Sequence, residues 1–368
     1  MPPLPPVDED HPGPPPIEGV QTSVAAFLGE TAIGPAEPAD VFSLLDFVRQ
    51  FGDAPCPLRD ALRGFFDNGG RRAVVVRIIP AAPGPAILAD YQGAAGDEFG
   101  DGAAGLAALD RADVALVYAP NALATPGLAE ALIAHCERLR DRFAVIDAPR
   151  DGDPLAPRGG WDTRYAAYYH PWLSVADAGG PRLIPPSGHV LGVYARVDIN
   201  RGVHKAPANE VVVGALALER QVSAPEQGRL NAAGVNVIRA FQGRGIRIWG
   251  ARTLASDQDW KYVNIARLRI FTKVSLKRGL QWAVFEPNGE ALWAKVQDTV
   301  RQFLRAQWRN GALQGRTETE AFFVKCDRTT MTQADIETGR LICETGLAPI
   351  RPAEFVILRI GLWTADRG

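Results

Sequence analysis

The sequence predicts an α/β fold with α+β features, divided into two domains. Three observations point there. Short runs rich in β-branched residues, 73–79 (AVVVRII), 113–118 (DVALVY) and 143–146, read as buried strands. An amphipathic stretch at 128–140 separates the last two, so strand, helix and strand follow at the spacing of a parallel unit. The chain has 368 residues, 46% of them hydrophobic, enough to fill two sizeable cores.

Taken in order, residues 1–16 are proline-rich and acidic and are expected to be an extended arm. Residues 20–28 (VQTSVAAFL) read as a strand. Asp40 is the expected N-cap of a helix in which Val41, Leu44, Leu45 and Val48 fall at helical spacing, and Gly52 ends it. A second helix is expected at 58–68, closed by Asn68-Gly69-Gly70. Residues 80–105 are dominated by Ala, Gly and Pro, hold no periodicity, and read as a surface loop. These segments define one α/β domain over 25–150. A polar hinge is expected at 151–160.

Beyond the hinge the character changes. Residues 165–172 (YAAYYHPW) are aromatic, and Pro185-Pro186-Ser187-Gly188-His189 opens a helix-like run with Ser187 as its expected cap. Strands are expected at 235–241, 246–249, 282–285 and 321–326, with a long helix over 290–308. On that helix Leu292, Val296, Val300, Phe303, Leu304 and Trp308 form an apolar stripe. Lys295, Asp298, Gln302, Arg305 and Arg309 lie on its other face, either as an ordinary solvated surface or as a stripe that docks an acidic partner. Residues 354–362 (EFVILRIGL) read as a closing strand.

Composition excludes several classes. A net charge of -2 and a pI near 6.3 argue against a general nucleic-acid binder. Cys56, Cys136, Cys326 and Cys343 match neither a zinc knuckle nor a disulfide framework, and read as four reduced, small hydrophobes. That usage points to assembly in a reducing cytoplasm. The N-terminus lacks the basic and apolar regions of a signal peptide, and no apolar run is long enough to span a bilayer.

Catalytic motifs are scarce. Gly243-Arg244-Gly245 lacks the third glycine of a dinucleotide fingerprint and precedes a strand instead of a helix, so it reads as a turn. Phosphate-loop, nucleophile-elbow and zinc-protease motifs do not occur. Ser187 and His189 could suggest a nucleophile and base, but their adjacency suits a helix start better. No catalytic residue, metal ligand or cofactor is therefore expected. The competing reading is an α/β enzyme with a cryptic hydrolase or nucleotide site.

From residue 165 onward an ordered motif series resembles the phage tail sheath family, which includes sheaths of pyocins and extracellular contractile injection systems. Its segments are YAAYYHPWLSV (165–175), PPSGHVLGVYA (185–195), RGVHKAPANE (201–210), LNAAGVNVIRAFQGRGIRIWGA (230–251), WKYVN (260–264), QWAVFEPN (281–288) and PAEFV (352–356). GVQTSVAAFLG (19–29) and FFDNGG (65–70) add to it near the start.

The resemblance implies a structural subunit of the contractile sheath around the inner tube of a phage-tail-like particle, not an enzyme. It implies a proline-rich arm at 1–16, an inner sheath domain built from 17–24 together with 151–350, an inserted outer α/β domain at 25–150, and a C-terminal strand arm at 351–368. Subunits would form stacked hexameric rings of this chain and paralogous copies, contacting an inner tube protein and baseplate or cap proteins, without nucleic acid or membrane insertion. Phe355, Val356, Ile357, Leu358 and Ile360 would form the strand inserted into a neighbour's sheet. Lys295, Arg305 and Arg309 are candidates for the tube-facing side. Assembly would occur in the cytoplasm, with release of the particle from the cell left open. One departure stands out. Where the family commonly has a β-forming arm, this sequence has His11-Pro12-Gly13-Pro14-Pro15-Pro16-Ile17-Glu18, whose prolines cannot donate ladder hydrogen bonds. That raises the alternative of a paralogue at the baseplate or cap end.

Overall fold

A computed structural model describes residues 14–98 and 101–354. The chain opens with strand β1 (Ala25–Glu30), edge strand β2 (Ala39–Val41), helices α1 (Leu44–Phe51) and α2 (Pro57–Asp67), and β3 (Ala73–Ile78). Then come α3 (Leu88–Gln92), β4 (Leu116–Tyr118), α4 (Leu128–Leu139), β5 (Phe143–Asp147) and the one-turn α5 (Leu155–Arg158). β6 (Ala166–His170), β7 (Leu173–Val175) and β8 (Arg182–Ile184) lead into α6 (Ser187–Arg201), β9 (Glu210–Val211), β10 (Ala215–Leu218) and α7 (Ala224–Ala232). β11 (Val235–Phe241) and β12 (Gly245–Ile248) form a hairpin, followed by α8 (Val263–Gly279) and α9 (Glu290–Arg309). The last described elements are α10 (Glu318–Ala321), β13 (Phe322–Lys325), α11 (Gln333–Glu337) and β14 (Glu344–Leu347).

Among the described residues, nine strands form one sheet in the order β2-β3-β1-β4-β5-β6-β11-β12-β9. Its centre, from β3 to β11, is parallel, and antiparallel strands finish both edges. Strand alternation sorts side chains into two cores. On β1, Ala25 and Phe27 face the layer of α1, α2 and α6, while Ala26 and Leu28 face the layer of α3, α4 and α7. β5 repeats this: Phe143 and Val145 take the first face, Ala144 and Ile146 the second. The mixed α/β class expected from sequence is what is observed.

The sheet runs across residues 148–165 without a break, because β5 pairs in parallel with β6 through Ala144–Ala166 to Asp147–Tyr169. A third core lies apart from both faces. There Leu292, Trp293, Val296, Val300, Phe303 and Leu304 of α9 pack with Leu268 of α8 and with Phe322 and Val324 of the β13–β14 hairpin. The stripe read from sequence is the buried side of this helix.

Several local expectations are corrected. Ser43, not Asp40, caps α1: its hydroxyl accepts from the Asp46 amide at 3.1 Å, while Asp40 sits in β2 and pairs with Arg72. Ser187 does not cap α6 through its side chain; it is the first helical residue, and its amide donates to Asp147 Oδ1 at 2.8 Å. Residues 80–105 contain α3, whose Tyr91 is buried, and Glu30 fastens the segment by accepting from the Ala86 amide. The hinge at 151–160 contains α5, and Arg158 joins it to the Ala233 and Leu254 carbonyls. Residues 282–285 are no strand. Gln281–Ala283 is a 3-10 turn, and Phe285 stands fully exposed at φ 70°. The Gly243 segment is the β11–β12 turn, with Gly243 and Gly245 at φ 70° and 74°, where glycine carries no steric penalty.

Candidate assembly surface

The carboxyl edge of the parallel strands is where doubly wound enzymes place their ligands. Here the first turn of α6 reaches the end of β5, and the rest of that helix lies on the sheet face beside α2. Asp147, at the end of β5 and 1% exposed, accepts from the Tyr118 hydroxyl at 2.6 Å, the Asn121 amide at 3.2 Å and the Ser187 amide at 2.8 Å. A buried carboxylate at the first turn of α6 satisfies an orphan helix donor and meets the positive end of the helix dipole. Burial raises the Asp147 pKa, with these bonds acting in the opposite direction. Ser187 and His189 follow at the start of α6. No hydrogen bond links their side chains among the described residues, and the His189 ring packs against Gly64 of α2 instead. Burial pushes the His189 pKa down to about 4. No group of three or more His, Cys, Asp or Glu side chains suited to a metal occurs among the described residues. No helix among them is long and apolar enough to cross a membrane.

The most organised surface lies around α8, which spans 17 residues and so about 25 Å. The incoming segment is fastened to it, and the outgoing one to its first turn and to the residues just ahead of it. At its C-terminal half, the Val20 amide donates to Ser275 Oγ at 3.1 Å, Gly19 lies against Phe271, and Ile17 lies against Gly279. Arg267 donates to the Thr22 carbonyl at 2.8 Å and pairs with Asp198 of α6 at 2.6 Å, with both partners under 5% exposed. That buried pair locks α8, α6 and the incoming segment together.

At the N-terminal side of α8, Asn264 donates to the carbonyls of His204 and Ile350, and Arg351 pairs with Asp259 at 2.8 Å. Glu354, the last described residue, is gripped by three groups. Arg252 donates to both carboxylate oxygens at 2.8 and 2.7 Å, the Tyr262 hydroxyl donates at 3.1 Å, and Lys261 lies at 3.6 Å. Burial alone would raise the Glu354 pKa; Arg252, Lys261 and Tyr262 outweigh it and hold it below the usual range. The two ends of the described chain therefore lie toward opposite ends of one helix.

The residues singled out from sequence fall as follows. Phe355, Val356, Ile357, Leu358 and Ile360 lie outside the described residues. Lys295 and Arg309 are exposed on α9. Arg305 is half-exposed and donates to Glu318 at 2.7 Å, with Arg301 at 3.4 Å from the same carboxylate, so one of these two positive charges is balanced within the chain. Sequence reading missed Arg252, Arg267 and Glu354, whose partners are remote in the chain. It also missed a cleft beside α8 where Arg164 at 4.2 Å and Arg269 at 3.8 Å both lie over the Trp260 ring.

The family profile for the phage tail sheath protein central domain matches residues 95–254, and that for the phage tail sheath C-terminal domain matches 255–362. A putative prophage major tail sheath protein of Pseudomonas aeruginosa (strain UCBPP-PA14) is 25% identical over 247 residues, covering 65% of this chain. The match spans 62% of that relative's own length. Among solved structures, a chain of the anti-feeding prophage (AFP) baseplate matches with TM-score 0.78 and 30% identity, over 99% of this chain and 100% of that one. A chain of the extracellular contractile injection system PVC sheath complex in its contracted state matches with TM-score 0.79 and 29% identity, over 100% and 98% of the two chains.

Proposed function

The chain belongs to the phage tail sheath family, and we propose that it works as a subunit of the contractile sheath in a phage-tail-like injection system. The observation that carries this reading is the agreement, over the whole chain, with a sheath subunit of a contractile injection system. In the proposed assembly, copies of this chain and of paralogues form hexameric rings stacked around an inner tube, with baseplate and cap proteins at the ends. The sheath is built extended and contracts, driving the tube through a target envelope. Rigid-body rotation of subunits accomplishes this while the terminal extensions keep neighbours tethered.

The anchoring of one end on α8 and of the other just ahead of it supports the tethering role. A tether transmits force only if its root does not peel away, and Arg267 and Arg252 fix the two roots with charge-assisted bonds to partly or fully buried partners. We propose that 355–368 continues from the Glu354 root as a strand added to a neighbour's sheet, through Phe355, Val356, Ile357, Leu358 and Ile360. The inner unit would comprise 17–24 with 151–350, and the outer unit 25–150. The contacts of Ile17, Gly19, Val20 and Thr22 with α8 support grouping 17–24 with the later half. Lys295 and Arg309 remain the proposed tube-facing cations, joined by Arg305 where Glu318 leaves it half-exposed. A non-catalytic role is part of the proposal. It is supported by the first turn of α6 closing over Asp147 at the end of β5, which takes up that part of the sheet's carboxyl edge. Assembly in the cytoplasm, before the particle leaves the cell, completes the reading.

Negative-stain microscopy of the purified chain tests it: rings or hollow tubes are expected, and a small discrete oligomer at every concentration would favour the enzyme alternative.

A further inference from the structure

The β13–β14 hairpin brings two cysteines face to face. Its antiparallel register runs Phe322–Leu347, Phe323–Gly346, Val324–Thr345 and Lys325–Glu344, so the next opposed pair is Cys326 and Cys343. The Ala348 amide donates to the Ala321 carbonyl, which makes 321–348 a hydrogen-bonded pair. Stepping by twos, 323–346 and 325–344 are hydrogen-bonded pairs, and 326–343 is a non-hydrogen-bonded one. Opposed Cα atoms at such positions are about 4.5 Å apart, inside the range that a disulfide spans. The mouth of the intervening loop is held closed: the Thr330 hydroxyl donates to the Ile342 carbonyl at 2.8 Å, and the Asp327 amide donates to that hydroxyl oxygen at 3.3 Å. Cys326 is buried in the third core, whereas Cys343 is partly open to solvent.

We propose that Cys326 and Cys343 form a dithiol that closes to an intramolecular disulfide on meeting a low-molecular-weight disulfide such as oxidised glutathione. The Cys343 thiolate attacks one sulfur of the small disulfide, forming a mixed disulfide and releasing one small thiol. Cys326 Sγ then displaces the second small thiol and completes the Sγ–Sγ bond. Two protein thiols are oxidised, one small disulfide is reduced to two thiols, and the two protein protons end on those thiols. The order follows from exposure: Cys343 is reachable, and Cys326 lies behind it. Interaction between the two thiols holds Cys343 below, and Cys326 above, the ordinary thiol pKa, which agrees with that order. The remaining cysteines lack such a partner. Cys56 Sγ caps α2 by accepting from the Arg59 amide, and Cys136 is buried on α4 among apolar side chains. A closed bond would pin the register of a two-stranded sheet, the least self-sufficient kind of sheet. The thiols would stay reduced in the cytoplasm and close only outside a reducing compartment.

The test uses the full chain carrying Cys56→Ser, which keeps a good cap. After incubation with oxidised glutathione, acid quenching and alkylation in denaturant without reductant, intact mass should show the loss of two hydrogens and one alkylated thiol, Cys136. Peptide mapping should link 326 to 343. The further change Cys326→Ser should instead leave glutathione stably on Cys343. Three alkylated thiols after oxidation, or a glutathione adduct that persists while Cys326 is present, would overturn the proposal. So would the absence of any adduct on Cys343 in the Cys326→Ser chain.

Discussion

The Arg252 guanidinium meets both carboxylate oxygens of Glu354, its Nε 2.8 Å from Oε1 and a terminal nitrogen 2.7 Å from Oε2. The pair is only 12% and 17% exposed, so solvent screens it weakly. It sits at Glu354, the last of the described residues.

Replacing either partner with alanine should lower stability by about 1.5–3 kcal/mol, as for hydrogen bonds to charged groups. Because Arg252 also donates to the Asn231 carbonyl, a double-mutant cycle is needed to isolate the pair. Thermal melts of Arg252→Ala, Glu354→Ala and the double variant should show less than additive loss, and both single variants should polymerise poorly. Additive losses with normal polymerisation would show that the root does not matter.

Asp198→Ala leaves Arg267 buried without its counter-charge and frees one hold on the incoming segment at Thr22. Removing one partner of a buried pair typically costs about 3–5 kcal/mol. Hydrogen exchange should report faster amide exchange at 19–24 and in α8 than elsewhere in the subunit.

Helices α2 and α6 approach too closely for side chains at two glycines. A Cβ on Gly188 would lie 2.5 Å from the Ala61 Cα, and one on Gly192 would strike the Phe65 carbonyl oxygen. Gly188→Ala and Gly192→Ala should each destabilise by about 3 kcal/mol or more, since backbone must move. Gly228→Ala in α7, with open space at its Cβ, should be neutral or stabilising. Urea midpoints of the three variants check this.

His135, His170 and His189 are buried neutral, each with its pKa pushed down to about 4 by desolvation. The unfolded chain takes up protons near pH 6.5 and the folded chain does not until about pH 4. Stability is therefore full above pH 6.5 and falls as pH drops toward 4, on the order of 3 kcal/mol per histidine. Urea midpoints below the polymerisation concentration should fall from pH 7 to pH 5, and His189→Gln should flatten that slope. A flat profile in the parent chain would contradict the burial of these rings.

Much of the fold was legible because its signals are local. Helix α9 carries one apolar stripe and one core face, so periodicity alone located it. Helix α8 was not read from sequence, for a physical reason. Val263 and Ala266 serve the first core while Leu268 and Phe271 serve the third, so burial surrounds much of the helix and no single stripe appears. Residues 282–285 misled in the opposite sense: Trp282 and Ala283 only border the third core, and Val284 and Phe285 point to solvent. The fastenings near the two ends of the described chain could not be read at all, since Arg252 and Glu354, or Arg267 and Thr22, leave no spacing that a local pattern detects.

The most direct test is imaging of assembled particles that contain this chain, before and after they fire. Cylinders in two lengths are expected, the shorter one wider, with the same number of sheath subunits in each. Rings or tubes of one fixed length would contradict it, and would make the chain a static component of the particle.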